Sequence, residues 1–325
     1  MMDVGGLWSL QCMMFLLMAA GAILKKKGIL KEEGKAVLTD VVIYFLLPCN
    51  IINSFRMEFE PGILKKFAVI FIIAVLTQLV CYSLSKILYN HKPADVKRVM
   101  QYGTLVSNSG FLGLPLAEGI YGAEGIMYAA IFIIPMRVMM WSAGIACFTE
   151  SPDMKTVIKK VALHPCIVAV YIGLGILLFQ MPFNPLYQAL LSVGGPVGTV
   201  LDVIVTAFDK GIRSAGGSTT ALTMILIGMM VAEVHPSHIL DKDVLFLTAL
   251  RLVLLPGAVL LGCRLAGINS FLMGVAVLMT GMPVGSTSAI LAAKYGCDYT
   301  FATKCVVVST LLSVVSIPVW GMALG

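Results

Sequence analysis

Two apolar stretches of this chain are interrupted in the same way. Gly113-Leu114-Pro115-Leu116 follows the polar run Ser107-Asn108-Ser109-Gly110, and Gly281-Met282-Pro283-Val284 precedes Gly285-Ser286-Thr287-Ser288. Proline removes a backbone N–H and clashes with the preceding helical turn, and glycine adds freedom beside it, so a helix is expected to break at Pro115 and again at Pro283. Broken backbone at bilayer depth survives only where protein buries it or where it lines a cavity. A pair of such interruptions in corresponding parts of two halves points to a transporter's substrate site.

Composition places the breaks in a membrane. Of 325 residues, 59% are hydrophobic and only 12% charged, and the mean hydropathy is +0.95. A soluble domain carries about a quarter charged residues. Long apolar stretches recur from end to end, which implies a polytopic all-α membrane protein without a separate soluble domain. The net charge of +6 does not point to nucleic acid, because the basic residues fall in short loops between spans.

Stretches of crossing length lie at about 7–24, 36–54, 67–86, 99–121, 123–148, 163–181, 219–233, 244–263, 271–293 and 305–324, which makes ten spans. Lys25-Lys26-Lys27 follow the first stretch instead of preceding it, so it reads as a retained span and not a signal peptide. With the N-terminus outside, the inner loops hold 15 Lys and Arg and the outer loops 6. The positive-inside rule then puts both termini outside a cell (inner) membrane, on the extracellular or periplasmic face. Five spans followed by five in opposite orientation form an inverted repeat, 1–162 and 163–325, with the fourth and ninth spans broken. Their half-helix N-termini would meet near the midplane and offer free N–H groups and positive dipole ends to an anion.

The segment 196–217 fits this scheme poorly. It carries Asp202, Asp209, Lys210 and Arg213, while Val200, Leu201, Ile204 and Phe208 follow helical spacing. An amphipathic helix on the outer interface is the expectation, with an eleventh span as the alternative.

Charged and polar groups inside the spans carry the chemistry. Arg137, near the middle of the fifth span, must face a cavity or a partner. It suits a substrate carboxylate, and its competing role is a pair with a carboxylate or with helix C-terminal carbonyls. Arg251 is expected to snorkel or to pair with Asp243. Ser107, Asn108 and Ser109 precede one break, and Ser286, Thr287 and Ser288 follow the other, as substrate donors or as caps on freed backbone. Asn50, Asn53, Thr77 and Gln78 either line the cavity or join helices. No Asp or Glu falls at mid-span, since Asp40 lies near an inner end and Glu118 and Glu124 near the outer face. That argues against proton antiport and leaves uniport, or weak H+ or Na+ coupling, open. The eight cysteines show no metal spacing and read as small apolar residues. His235 and His238, near Glu233 and Asp241, read as a solvated loop, and neither a metal nor a cofactor is expected.

The run Ser107 to Leu116, followed by Ile120-Tyr121-Gly122, resembles the signature of the auxin efflux carrier family, whose bacterial members are malate or malonate permeases. Leu38-Thr39-Asp40 through Phe45-Leu46-Leu47-Pro48 to Asn53-Ser54 is similar to that family's second helix, and Thr280 to Gly296 to its ninth. The resemblance implies a scaffold from spans 1, 2, 6 and 7, and a moving transport domain from spans 3–5 and 8–10. It also implies an organic-anion substrate and a homodimer in the lipid bilayer. The family's site carries over to Asn108, Gly113 and Pro115 and to Pro283 with neighbours such as Gly281. Two features depart from the family: 196–217 looks like an insertion, and Arg137 stands where a neutral polar residue is expected.

Three rival readings are weaker. A sodium-coupled bile-acid-type symporter needs clustered acidic ligands, and an intramembrane enzyme needs a catalytic group at depth. A non-transporting sensor usually appends a signalling domain.

Overall fold

The computed structural model describes residues 4–56, 62–148, 153–192, 195–232 and 241–324. Helices make up nearly all of them: α1 (Val4–Lys26), α2 (Glu33–Ser54), α3 (Ile63–Ile87), α4 (Ala94–Leu105), α5 (Ser109–Cys147), α6 (Met154–Ala162) and α7 (Pro165–Ser192). The second half continues with α8 (Gly195–Gly217), α9 (Thr219–Val231), α10 (Lys242–Leu265), α11 (Ser270–Thr280), α12 (Thr287–Lys294) and α13 (Tyr299–Leu324). Among the described residues there is no β-strand, only one isolated bridge, and six helical stretches are long and apolar enough to cross a membrane. One of the six, Asp202–Val231, runs from within α8 through α9. The chain is a polytopic membrane protein; the pairing of its halves as inverted repeats is taken up below.

Side-chain caps begin several helices. Asp153 accepts from Thr156 N at α6, Asp241 from Asp243 N at α10, and Asn269 from Leu272 N at α11. Each satisfies a donor that the first helical turn leaves free. Within α2, α5 and α10 a wide π-type turn stands just before a Leu-Pro pair: Val42–Leu46 before Pro48, Ser109–Gly113 before Pro115, and Leu250–Leu254 before Pro256. Proline cannot donate to the carbonyl four residues back and clashes with it, so the preceding turn widens while the helix continues. Gly122 (φ 67°) bends α5 between the fourth and fifth apolar stretches.

Residues 99–121 are therefore interrupted at a different place from the one the proline suggested. Pro115 lies within α5, just past the widened turn Ser109–Gly113, and the helix runs on through it. The break itself falls at 106–108: α4 ends at Leu105 and Val106 is extended (φ −122°, ψ 115°). The second break falls where the proline put it, between Thr280 and Thr287 around Pro283.

The two breaks meet. Ser107 and Val284 form an antiparallel bridge, Asn108 N donates to Pro283 O at 2.8 Å, and Gly285 N donates to Val106 O at 3.0 Å. Val284 N donates to Ser309 Oγ of α13 at 3.0 Å. These bonds satisfy the amides that leaving the helix exposed, as an apolar setting requires. Two apolar cores adjoin the crossing: Leu112, Met279 and Met282 belong to one, and Val106, Leu105 and Val284 to the other.

Elsewhere small residues allow close packing. A Cβ on Gly228 of α9 would run into the Met18 carbonyl of α1, and one on Gly21 into the Ile225 carbonyl, the approach that small residues permit between membrane helices. α8 packs on α2, where Asn53 Nδ2 donates to Ile212 O and Arg56 pairs with Asp209. Val200, Ile204 and Phe208 of α8 are exposed, so 196–217 is helical with an outward apolar face. All eight cysteines are free thiols.

Candidate functional site at the crossing

α5 and α12 both start at the crossing, at Ser109 and Thr287, and α4 and α11 both end there, at Leu105 and Thr280. Opposite partial charges thus gather on two sides of one knot of backbone.

The C-terminal side is occupied by Arg251. Its Nη1 donates to Thr104 O (3.1 Å), and its Nη2 to Thr280 O (3.1 Å) and Met282 O (3.2 Å). The side chain is 2% exposed. Arg251 therefore neither snorkels nor pairs with Asp243, whose partner is Lys92 at 2.6 Å. A single cation meets the negative ends of two half-helices, where a positive charge is most stabilising. Sequence spacing gave no sign of this, because the three carbonyls lie 29 to 147 residues away.

The N-terminal side opens into a cavity of about 150 Å³. Ser107, Asn108, Gly110 and Phe111 line it from one break, Gly285, Ser286 and Thr287 from the other, and Arg137, Trp141 and His164 complete it with Ile43 and Leu47 of α2. Arg137 is 9% exposed. Its Nη1 lies 2.8 Å from His164 Nε2, and a Cβ on Gly110 would lie 3.3 Å from its Nη2. The guanidinium thus lies against the first turn of α5, a positive group beside a positive helix end. Among the described residues no carboxylate pairs with it, and its Nε is buried without a hydrogen-bond partner. An unpaired buried cation is expensive, and an anion in this cavity would relieve that cost.

The other expected site residues stand behind the wall. Ser109 Oγ donates to Met279 O at 2.9 Å. Gly113 lets Met279 and Met282 approach to 3.1 Å from where a Cβ would be. Pro115 is buried in its helix, Gly281 caps α11, and Pro283 lends its carbonyl to Asn108. Asn50 Nδ2 donates to Glu118 at 2.7 Å and Thr77 bonds within its own helix, while Thr287, in the wall itself, shares its Oγ1 hydrogen bond with Tyr102. A second cavity of about 90 Å³ adjoins the crossing, sharing Asn108 and Ser286 and reaching Lys35 and Tyr299. His164 was not anticipated, since a lone histidine before a proline carries no signal of its own. His235, His238 and Glu233 lie outside the described residues.

A membrane-embedded helical protein whose two broken helices cross beside a small cavity has the form of a transporter. A family profile described as "Membrane transport protein" matches residues 12–321, and the chain belongs to that family, the auxin efflux carrier family. It is similar to an uncharacterized transporter of Methanothermobacter thermautotrophicus, 26% identical over 314 residues with 95% of each chain covered. It is also similar to an uncharacterized transporter of Methanocaldococcus jannaschii, 23% identical over 318 residues, which cover 95% of this chain and 96% of the other.

Proposed function

We propose that this protein is a secondary transporter of small organic anions, mono- or dicarboxylates of the size of malate or malonate. The observation that carries the reading is Arg137, a buried guanidinium without a carboxylate partner among the described residues, facing the same cavity as Asn108, Ser286 and two helix N-termini. A carboxylate there takes the fork of Arg137 and the neutral donors of Asn108 and Ser286. The cavity's about 150 Å³, well below the ~300–1,000 Å³ of drug-sized pockets, suits a substrate of few heavy atoms.

The wider reading follows the family resemblance. Ten spans in two inverted repeats, 1–162 and 163–325, divide into a scaffold (spans 1, 2, 6 and 7) and a transport domain that moves past it in alternating access. Both termini lie outside, and the scaffold pairs two copies.

The test is ligand-induced thermal stabilisation of the purified protein across mono- and dicarboxylates, with wild type beside Asn108→Ala and Arg137→Gln. A carboxylate-dependent rise in Tm that both substitutions abolish supports the reading. No stabilisation by any carboxylate, or a rise that survives both substitutions, refutes it.

A further inference from the structure

The ring of His164 is placed between two donors. Its Nε2 lies 2.8 Å from Nη1 of Arg137 and its Nδ1 lies 3.2 Å from the backbone N of Cys166. A neutral imidazole has one acceptor nitrogen, and an imidazolium has none. The ring is thus neutral with the cavity in this state, and one of its two nitrogens meets a like group.

The titratable groups around it are few. Arg137 and His164 are the ionisable side chains lining this cavity. Cys166, on the ring's own helix, is buried and offers its backbone N–H. On the neighbouring elements Lys155 and Lys159 of α6 and Asp40 of α2 are exposed. Arg137 is therefore the cation that answers a first carboxylate, and among the groups lining this cavity only His164 can add a second positive charge, Lys35 lining the adjoining one.

We propose that His164 takes up a proton when a dicarboxylate binds, so that the site holds a dianion together with one H+. This rests on the anion-site reading above. A carboxylate that engages Arg137 draws Nη1 away from the ring. The ring then takes one proton from solvent at Nδ1, which releases the Cys166 N–H to stand free as first-turn amides can, and Nε2–H donates to the second carboxylate. An N–H bond forms at the ring as an O–H bond of solvent breaks, and the proton returns to solvent when the anion leaves. Binding with proton uptake makes affinity fall as pH rises, by about tenfold per pH unit once the free ring is neutral.

The experiment is calorimetric titration of the purified full chain with malonate, above both malonate ionisations, in two buffers of different ionisation enthalpy. The dependence of the heat on buffer counts the protons taken up. Wild type is expected to take up about one proton per malonate and to bind acetate with none. His164→Gln, which keeps a hydrogen-bonding side chain but cannot titrate, is expected to bind malonate without proton uptake and without the pH slope.

Malonate binding by wild type with no proton uptake overturns the proposal, as does uptake that persists in His164→Gln. Because the slope is read on wild type alone, the proposal stays testable if the variant folds poorly. Failure of the underlying site looks different: Arg137→Gln would then bind malonate as wild type does.

Discussion

The two arginines within the apolar spans have opposite surroundings, and the contrast predicts opposite phenotypes. Arg251 gives hydrogen bonds to three backbone carbonyls, and leaving a buried acceptor unsatisfied costs ~1–3 kcal/mol. Arg251→Met is therefore expected to lower the Tm sharply or abolish recovery of monodisperse protein, with Arg251→Lys restoring part of it, as read by fluorescence-detected size exclusion. Arg137 has a histidine for its one hydrogen-bonding partner among those described. Arg137→Gln, by contrast, should leave the ligand-free Tm unchanged or slightly raised, because it removes an uncompensated buried charge, while abolishing carboxylate stabilisation. The sequence made Arg137 visible because a charge at mid-span needs an explanation. It hid the role of Arg251, and the presence of His164 at the site, because both depend on contacts between distant segments.

At the scale of the element, the second break was legible and the first was displaced. Gly281 and Pro283 lie inside the second break, whereas α5 runs on through Pro115 and leaves the interruption to Ser107-Asn108, which carry no strong breaker. What opens the helix there is pairing with the other break, a tertiary bond that no local pattern encodes. Gly285 shows how close that pairing is: a Cβ would lie 3.2 Å from the carbonyls of both Val106 and Ser107. Gly285→Val is expected to lose carboxylate stabilisation and several degrees of Tm, since over-packing of this kind costs ~1–3 kcal/mol. The α1–α9 crossing is tighter still. Gly228→Val forces those helices apart and should prevent recovery of folded protein, whereas Gly211→Ala, with open space at its Cβ, should be silent in the same melting assay.

For the whole molecule, the all-helical, membrane-spanning character was readable from hydropathy, because a span must satisfy its own backbone; against ten expected spans, six helical stretches among the described residues are long and apolar enough to cross. Orientation is the prediction at this scale. Alkaline phosphatase, active only outside the cytoplasm, fused after Gly325 should be active, and fused after Lys160 should be inactive; the reverse pattern would reject the proposed topology. The bridge between Ser107 and Val284 bears on something else. Its reciprocal hydrogen bonds fasten the two breaks to each other, so a ligand held by the breaks and Arg137 keeps those contacts whichever face it entered from. Influx and efflux of acetate, which does not call on His164, should show one common half-saturation concentration in proteoliposomes, and its gradient alone should decide which way it goes.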